Sequence, residues 1–104
     1  MIEAQVYKAL GDPVRLEIVR RLCTRSTSSI GELSADLGLS RQGARKQLQV
    51  LVEAKIVNLK QHGRQTEVVL DKRALQLART FIAKLEYQWD NRLNALKKHI
   101  EKSD

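Results

Sequence analysis

Arg41, Gln42, Arg45, Lys46 and Gln49 lie within the run LGLSRQGARKQLQVL at residues 37–51. Set on a helix at about 100° per residue, these five side chains fall within about 140° of one another. Ala44, Leu48 and Leu51 cluster on a different face. The predicted helix therefore buries a narrow aliphatic stripe and presents Arg, Lys and Gln together. Over residues 41–55 that polar side is expected to carry no carboxylate. A merely solvated face mixes signs, because opposite charges at i, i+4 stabilise a helix. Arg and Lys can donate to guanine O6 and N7, and Gln can bond adenine N6 and N7, in the major groove of DNA. Arg41, Gln42, Arg45 and Gln49 are thus the candidate base contacts. Ser40 puts a hydroxyl at the helix start, where backbone N–H groups favour an anion, so Ser40 and Lys46 are candidate contacts to the DNA backbone. Gly43 is a poor helix former, costing about 1 kcal/mol relative to Ala. It leaves room for a phosphate or for a neighbouring helix.

The elements around this helix fit the same chemistry. Ser28 or Ser29 can cap a preceding helix, with Glu32 placed to complete a capping box, and Gly38 can end it. A short helix, a turn around Leu39 and a polar helix make a helix-turn-helix over 29–55. The runs IVNLKQ and TEVVL are rich in β-branched residues and flank HGRQ, with Gly63 as the turn residue. This predicts a β-hairpin over 56–71, a wing. Lys60, His62 and Arg64 near its tip are further candidates for backbone contacts.

Helical spacing dominates elsewhere. Val6, Tyr7 and Leu10 predict a first helix that breaks at GDP, where Asp12 and Pro13 suit the start of the next. Val14, Ile18 and Leu22 line that second helix, widened by Leu16, Val19 and Cys23, which predicts a central position. Arg15, inside its apolar arc, is expected to pair with Asp12 or Glu17. RSTSS at 25–29 reads as a turn. From Asp71 a long closing helix is expected to reach Ile100 or beyond. Its seam of Leu75, Ala78, Ile82, Leu85, Trp89, Leu93 and Leu96, broadened by Phe81, recurs at steps of three and four. The first helix, through Val6 and Tyr7, can cover part of it. The remainder is expected to meet a second copy, with Trp89 as an anchor.

The expected fold is mainly α with a small β-hairpin: one winged helix-turn-helix domain over 1–104, in the order α-α-α-α-β-β-α. Segments 1–12 and 72–104 form its dimerisation helices. Charge agrees with a polyanion partner. The net charge is +7, and residues 41–70 carry six bases against two acids, while residues 1–40 are balanced.

Other classes fit poorly. Two histidines, one cysteine and the absence of a glycine-rich phosphate loop argue against catalysis. The single Cys23 excludes an internal disulfide and multi-cysteine zinc patterns, and it is expected to be buried and inert rather than a thiol sensor. No apolar run is long enough to span a membrane and no signal peptide is evident, so a cytoplasmic location is expected. A winged helix that binds only protein would be expected to lack the cationic face.

KALGDPVRLEIVRRLC, SIGELSADLGLSRQGARKQLQVLVEAKIV and LKQHGRQTEVVL together resemble the ArsR-type (arsenical-repressor) family of transcription regulators. The resemblance implies a homodimer that occupies an operator on double-stranded DNA and represses transcription until a signal releases it. Many members sense metals through two cysteines in the third helix. Here the run is ELSADL, with Ser34 and Asp36 at the thiol positions, and a hydroxyl with one carboxylate does not replace thiolates for a soft metal. A second family site needs an Asp/His pair on the last helix, which carries only His99. The closing LEYQWDNRLNALKKHI resembles a branch without metal sites. No metal ligand, cofactor or effector is assigned.

Overall fold

The computed structural model describes residues 2–25 and 27–102. They form α1 (Ile2–Leu10), α2 (Pro13–Arg25), β1 (Thr27–Ser29), α3 (Ile30–Leu37), α4 (Arg41–Glu53), β2 (Val57–His62), β3 (Gln65–Leu70) and α5 (Lys72–Lys102). Boundaries follow local chemistry. Asp12 Oδ1 accepts from the backbone N–H groups of Val14 and Arg15, at 2.9 and 3.1 Å, so Asp12 caps α2 ahead of Pro13. Asp71 does the same for α5 through the N–H of Arg73, at 3.0 Å.

The strands form one antiparallel sheet in the order β1-β3-β2. The wing hairpin pairs His62 with Gln65 across a two-residue connection, with Gly63 at φ 60°. That conformation is open to glycine at no steric cost. One element differs from expectation. Thr27–Ser29, predicted as part of a turn, is a strand, with Ser28 opposite Val68 (Ser26 lies outside the described residues). Three Ser/Thr residues carry no periodicity of their own. What makes them a strand is the row of unpaired groups along the edge of β3.

The core joins Val6 of α1, Ile18 and Leu22 of α2, Leu33 of α3, Leu48 and Leu51 of α4, and Ile56, Val57 and Val68 of the wing base, each almost wholly buried. The buried stripe of α2 is narrower than its composition predicts. Leu16 is 52% exposed, and Cys23, expected to be inside, is exposed as well. Both sit off the Ile18–Leu22 arc. Arg15 pairs with Asp12, as expected, and gains further partners. It lies 4.0 Å from Asp12, but its stronger bonds run from Nε to the carbonyl of Ala9, at 2.7 Å, and from Nη1 to Gln47 Oε1, at 2.9 Å. It ties the end of α1 to α4. Glu17 instead receives Arg20 and Arg21, which hold its carboxyl below the usual range, chiefly through the hydrogen bonds from Arg20.

α1 lies along the first turns of α5. The Tyr7 hydroxyl donates to the carbonyl of Ala78 at 2.8 Å, and its ring meets Phe81 at a centroid distance of 6.2 Å. Beyond Phe81 every described residue of α5 is exposed, and the molecule extends to 72 × 24 × 23 Å.

Candidate nucleic-acid interface

The site begins with the way α3 is fixed to α4. Ser29 caps α3, its Oγ accepting from the N–H of Glu32 at 3.0 Å. The capping box is only half made, because the Glu32 carboxylate accepts from the Ser28 hydroxyl, at 3.4 Å. At the other end Gly38 adopts φ 64°, and the Leu39 N–H reaches the Ser34 carbonyl at 2.9 Å, which is a Schellman closure. Buried Ser34 then donates its hydroxyl to the carbonyl of Leu39 at 2.6 Å. The turn is held from both sides, so the angle between the two helices is set by hydrogen bonds as well as by leucine packing.

Ser40 caps α4, with Oγ accepting from the Gly43 N–H at 3.0 Å. A Cβ on Gly43 would stand 3.1 Å from that oxygen. The glycine therefore makes room for the cap itself. Ala44, Leu48 and Leu51 are buried as expected, and Arg41, Gln42, Arg45, Lys46 and Gln49 are all exposed on the outer side. The expectation of an acid-free face over residues 41–55 is corrected at its end. Glu53 is exposed one turn beyond Gln49, and Gln49 Nε2 donates to its Oε1 at 3.3 Å. The i, i+4 spacing puts the two on one side. The acid-free part of α4 is thus its first two turns, and the amide of Gln49 is partly engaged.

The wing brings Lys60, His62 and Arg64 out to solvent. His62 Nε2 lies 3.4 Å from Glu67 Oε2. Lys60 is directly across the ladder from the same Glu67. Among the described residues Arg64 has no carboxylate within ion-pair distance, and neither do Arg41 and Arg45. By contrast, each arginine of α2 stands within 4.0 Å of one. The arginines of α2 are neutralised locally, whereas among the described residues Arg41, Arg45 and Arg64 have no carboxylate at ion-pair distance.

The positions that carry thiols in metal-sensing relatives have other duties here. Ser34 pins the turn, and Asp36 is held by Arg21 and Arg25 at 3.5 and 3.3 Å. This donor set does not fit a soft metal ion. No group of three or more His, Cys, Asp or Glu side chains placed to hold a metal occurs among the described residues.

A helix-turn-helix domain family matches residues 10–60, the span from the end of α1 to the middle of β2. No protein with curated annotation matches the chain significantly. Among solved structures, an ArsR-like transcriptional regulator from Rhodococcus sp. RHA1 is 30% identical, over 97% of this chain and 92% of that one, with a TM-score of 0.89. The transcriptional repressor BigR from Xylella fastidiosa is 32% identical over 77% of this chain and 82% of that one, with a TM-score of 0.61. HlyU from Vibrio cholerae is 26% identical over 84% and 91%, with a TM-score of 0.64. An outward cationic helix after a pinned turn, a basic wing beside it and this likeness along nearly the whole length agree: the chain belongs to the ArsR-like transcriptional regulators, which are DNA-binding helix-turn-helix proteins.

Proposed function

We propose that the protein is a homodimeric, cytoplasmic repressor that occupies an imperfectly palindromic operator. The observation that carries this reading is the exposed, carboxylate-free start of α4, set beside a wing whose Arg64 is equally unpaired. α4 enters the major groove and lays Arg41, Gln42, Arg45, Lys46 and Gln49 against base edges and the flanking phosphates. Ser40 contributes the hydrogen of its hydroxyl, the oxygen being occupied by the Gly43 N–H. Lys60, His62 and Arg64 meet the backbone alongside.

Two copies join through α1 and α5. Support comes from Ile82, Leu85, Trp89, Leu93 and Leu96, which stay exposed on α5 although they form an apolar seam. Tyr7, Leu75 and Phe81 are half-buried beside it, while Val6 and Ala78 are already covered and fix α1 to α5. Their part in the interface is to hold the seam in place.

Footprinting on the DNA upstream of the protein's own gene tests the reading. Two protected half-sites about 34 Å apart, one turn of duplex, are expected. Binding should weaken steeply as salt rises. Binding without salt dependence would instead favour a winged helix that docks on protein, and protection at a single half-site would contradict the dimer.

A further inference from the structure

Arg41 and Arg45 of α4 and Arg64 of the wing line one space of about 140 Å³, together with Ser29, Ile30 and Gly31 at the start of α3. A Cβ on Gly31 would lie 3.6 Å from Arg41 Nη2, so that guanidinium reaches the first turn of α3. The N–H groups of Ile30 and Gly31 belong to that first turn, where a helix has no internal acceptors for them. Like charges gathered from two elements repel, and an anion between them relieves the repulsion. The convergence of the three cations carries the assignment, and the helix start adds to it.

The position of each residue around α4 separates two roles. Arg41 and Arg45 lie within about 60° of buried Leu48, while Gln42 and Lys46 lie about 120° and 160° from it. The arginines are therefore turned towards α3 and the wing, and Gln42 and Lys46 project furthest from the core. We propose that Arg41, Arg45 and Arg64 of each protomer clamp a single backbone phosphate of the bound duplex. Arg41 and Arg45 then fix the register of the protein on DNA, and base reading falls to Gln42, Lys46 and Gln49. This proposal rests on the DNA-binding reading above. It replaces the sequence-based assignment of the two arginines to bases and of Lys46 to the DNA backbone.

Two probes of about 30 bp, enough for two half-sites, distinguish the roles. One is a duplex the protein itself selects from a random pool, and the other is a scrambled duplex. Arg41→Ala, Arg45→Ala and Arg64→Ala are each expected to weaken binding to both duplexes by the same factor, on the order of tenfold, as phosphate contacts do. Gln42→Ala should lose affinity on the selected duplex only. The triple alanine variant should lower the slope of log affinity against log salt by about 0.9 per bound protomer, the value for one phosphate. A slope loss near three times that would mean three separate phosphates. A loss on the selected duplex alone would make the arginines base readers. Either of these outcomes overturns the clamp while leaving the regulator intact. Failure of the wild-type protein to enrich or bind any duplex overturns both.

Discussion

Arg15 illustrates how one side chain can matter more for the joint it makes than for its charge. Its side chain is only 17% exposed, and its fork spans the carbonyls of Lys8 and Ala9 and the amide of Gln47. Lysine keeps the charge but not the planar fork. Arg15→Lys should therefore destabilise the fold by about 1 kcal/mol through part-buried acceptors left without donors. Thermal melts should show a lower Tm, by about 4–8 °C per kcal/mol, and an unchanged melt would contradict the assignment. Asp71 supplies a pH test. The hydrogen bonds and charge of Arg73 hold its carboxyl far below the ordinary carboxylate value of 3.8, with the Asn58 amide adding to them. A folded pKa lowered in this way gives stability that is present above the unfolded value and is lost as pH falls towards the folded one. Acid titration of Tm should thus show wild type and Asp71→Asn converging as pH drops below 3.8. Curves that stay parallel through that range would show that the carboxylate contributes nothing.

At the scale of elements, the two ends of the helix-turn-helix use the same backbone geometry with different residues. Gly38 takes φ 64° after α3, and Lys55 takes φ 62° after α4. The N–H groups of Lys55 and Ile56 close a second Schellman motif on the carbonyls of Val52 and Leu51, at 2.9 and 3.0 Å. A side chain in the left-handed region costs about 1–2 kcal/mol, and glycine gives part of that back through its freer unfolded chain. Lys55→Gly should therefore stabilise the protein by about 0.5–1 kcal/mol. Gly38→Ala should destabilise it by about 1–2 kcal/mol through backbone conformation alone, since a Cβ at Gly38 would meet nothing within 4 Å. Urea unfolding of the two variants checks both signs, and two shifts of the same sign would refute the account. β1 belongs to this scale too. No pattern within Thr27–Ser29 separates a strand from a turn, and the edge of β3 decides it.

For the whole molecule, the governing fact is that α5 outruns the body it packs on. A chain of this size has no second layer to cover Leu85, Trp89, Leu93 and Leu96, which range from 43% to 59% exposed. If these side chains are the dimer seam, Trp89→Ala should weaken association by at least about 30-fold, the loss expected of an interface anchor worth about 2 kcal/mol. Sedimentation velocity at micromolar concentration reads this directly. A wild-type protein that sediments as a monomer would remove the dimer, and with it the palindromic operator.

The sequence by itself determined the helices, the turn between α3 and α4, and the wing. Each of these is written in short-range chemistry: apolar spacing, caps at Asp12, Ser29 and Ser40, glycines at 38 and 63. It also determined which face of α4 carries cations, because Ala44, Leu48 and Leu51 leave only one way to turn the helix. Tertiary structure alone decided the third strand, the exposure of Cys23 and the bond of Arg15 to Gln47. The same holds for the meeting of Arg41, Arg45 and Arg64 at the start of α3. Those outcomes depend on the distance between residues far apart in the chain, and helical periodicity records direction around an axis but not what lies opposite.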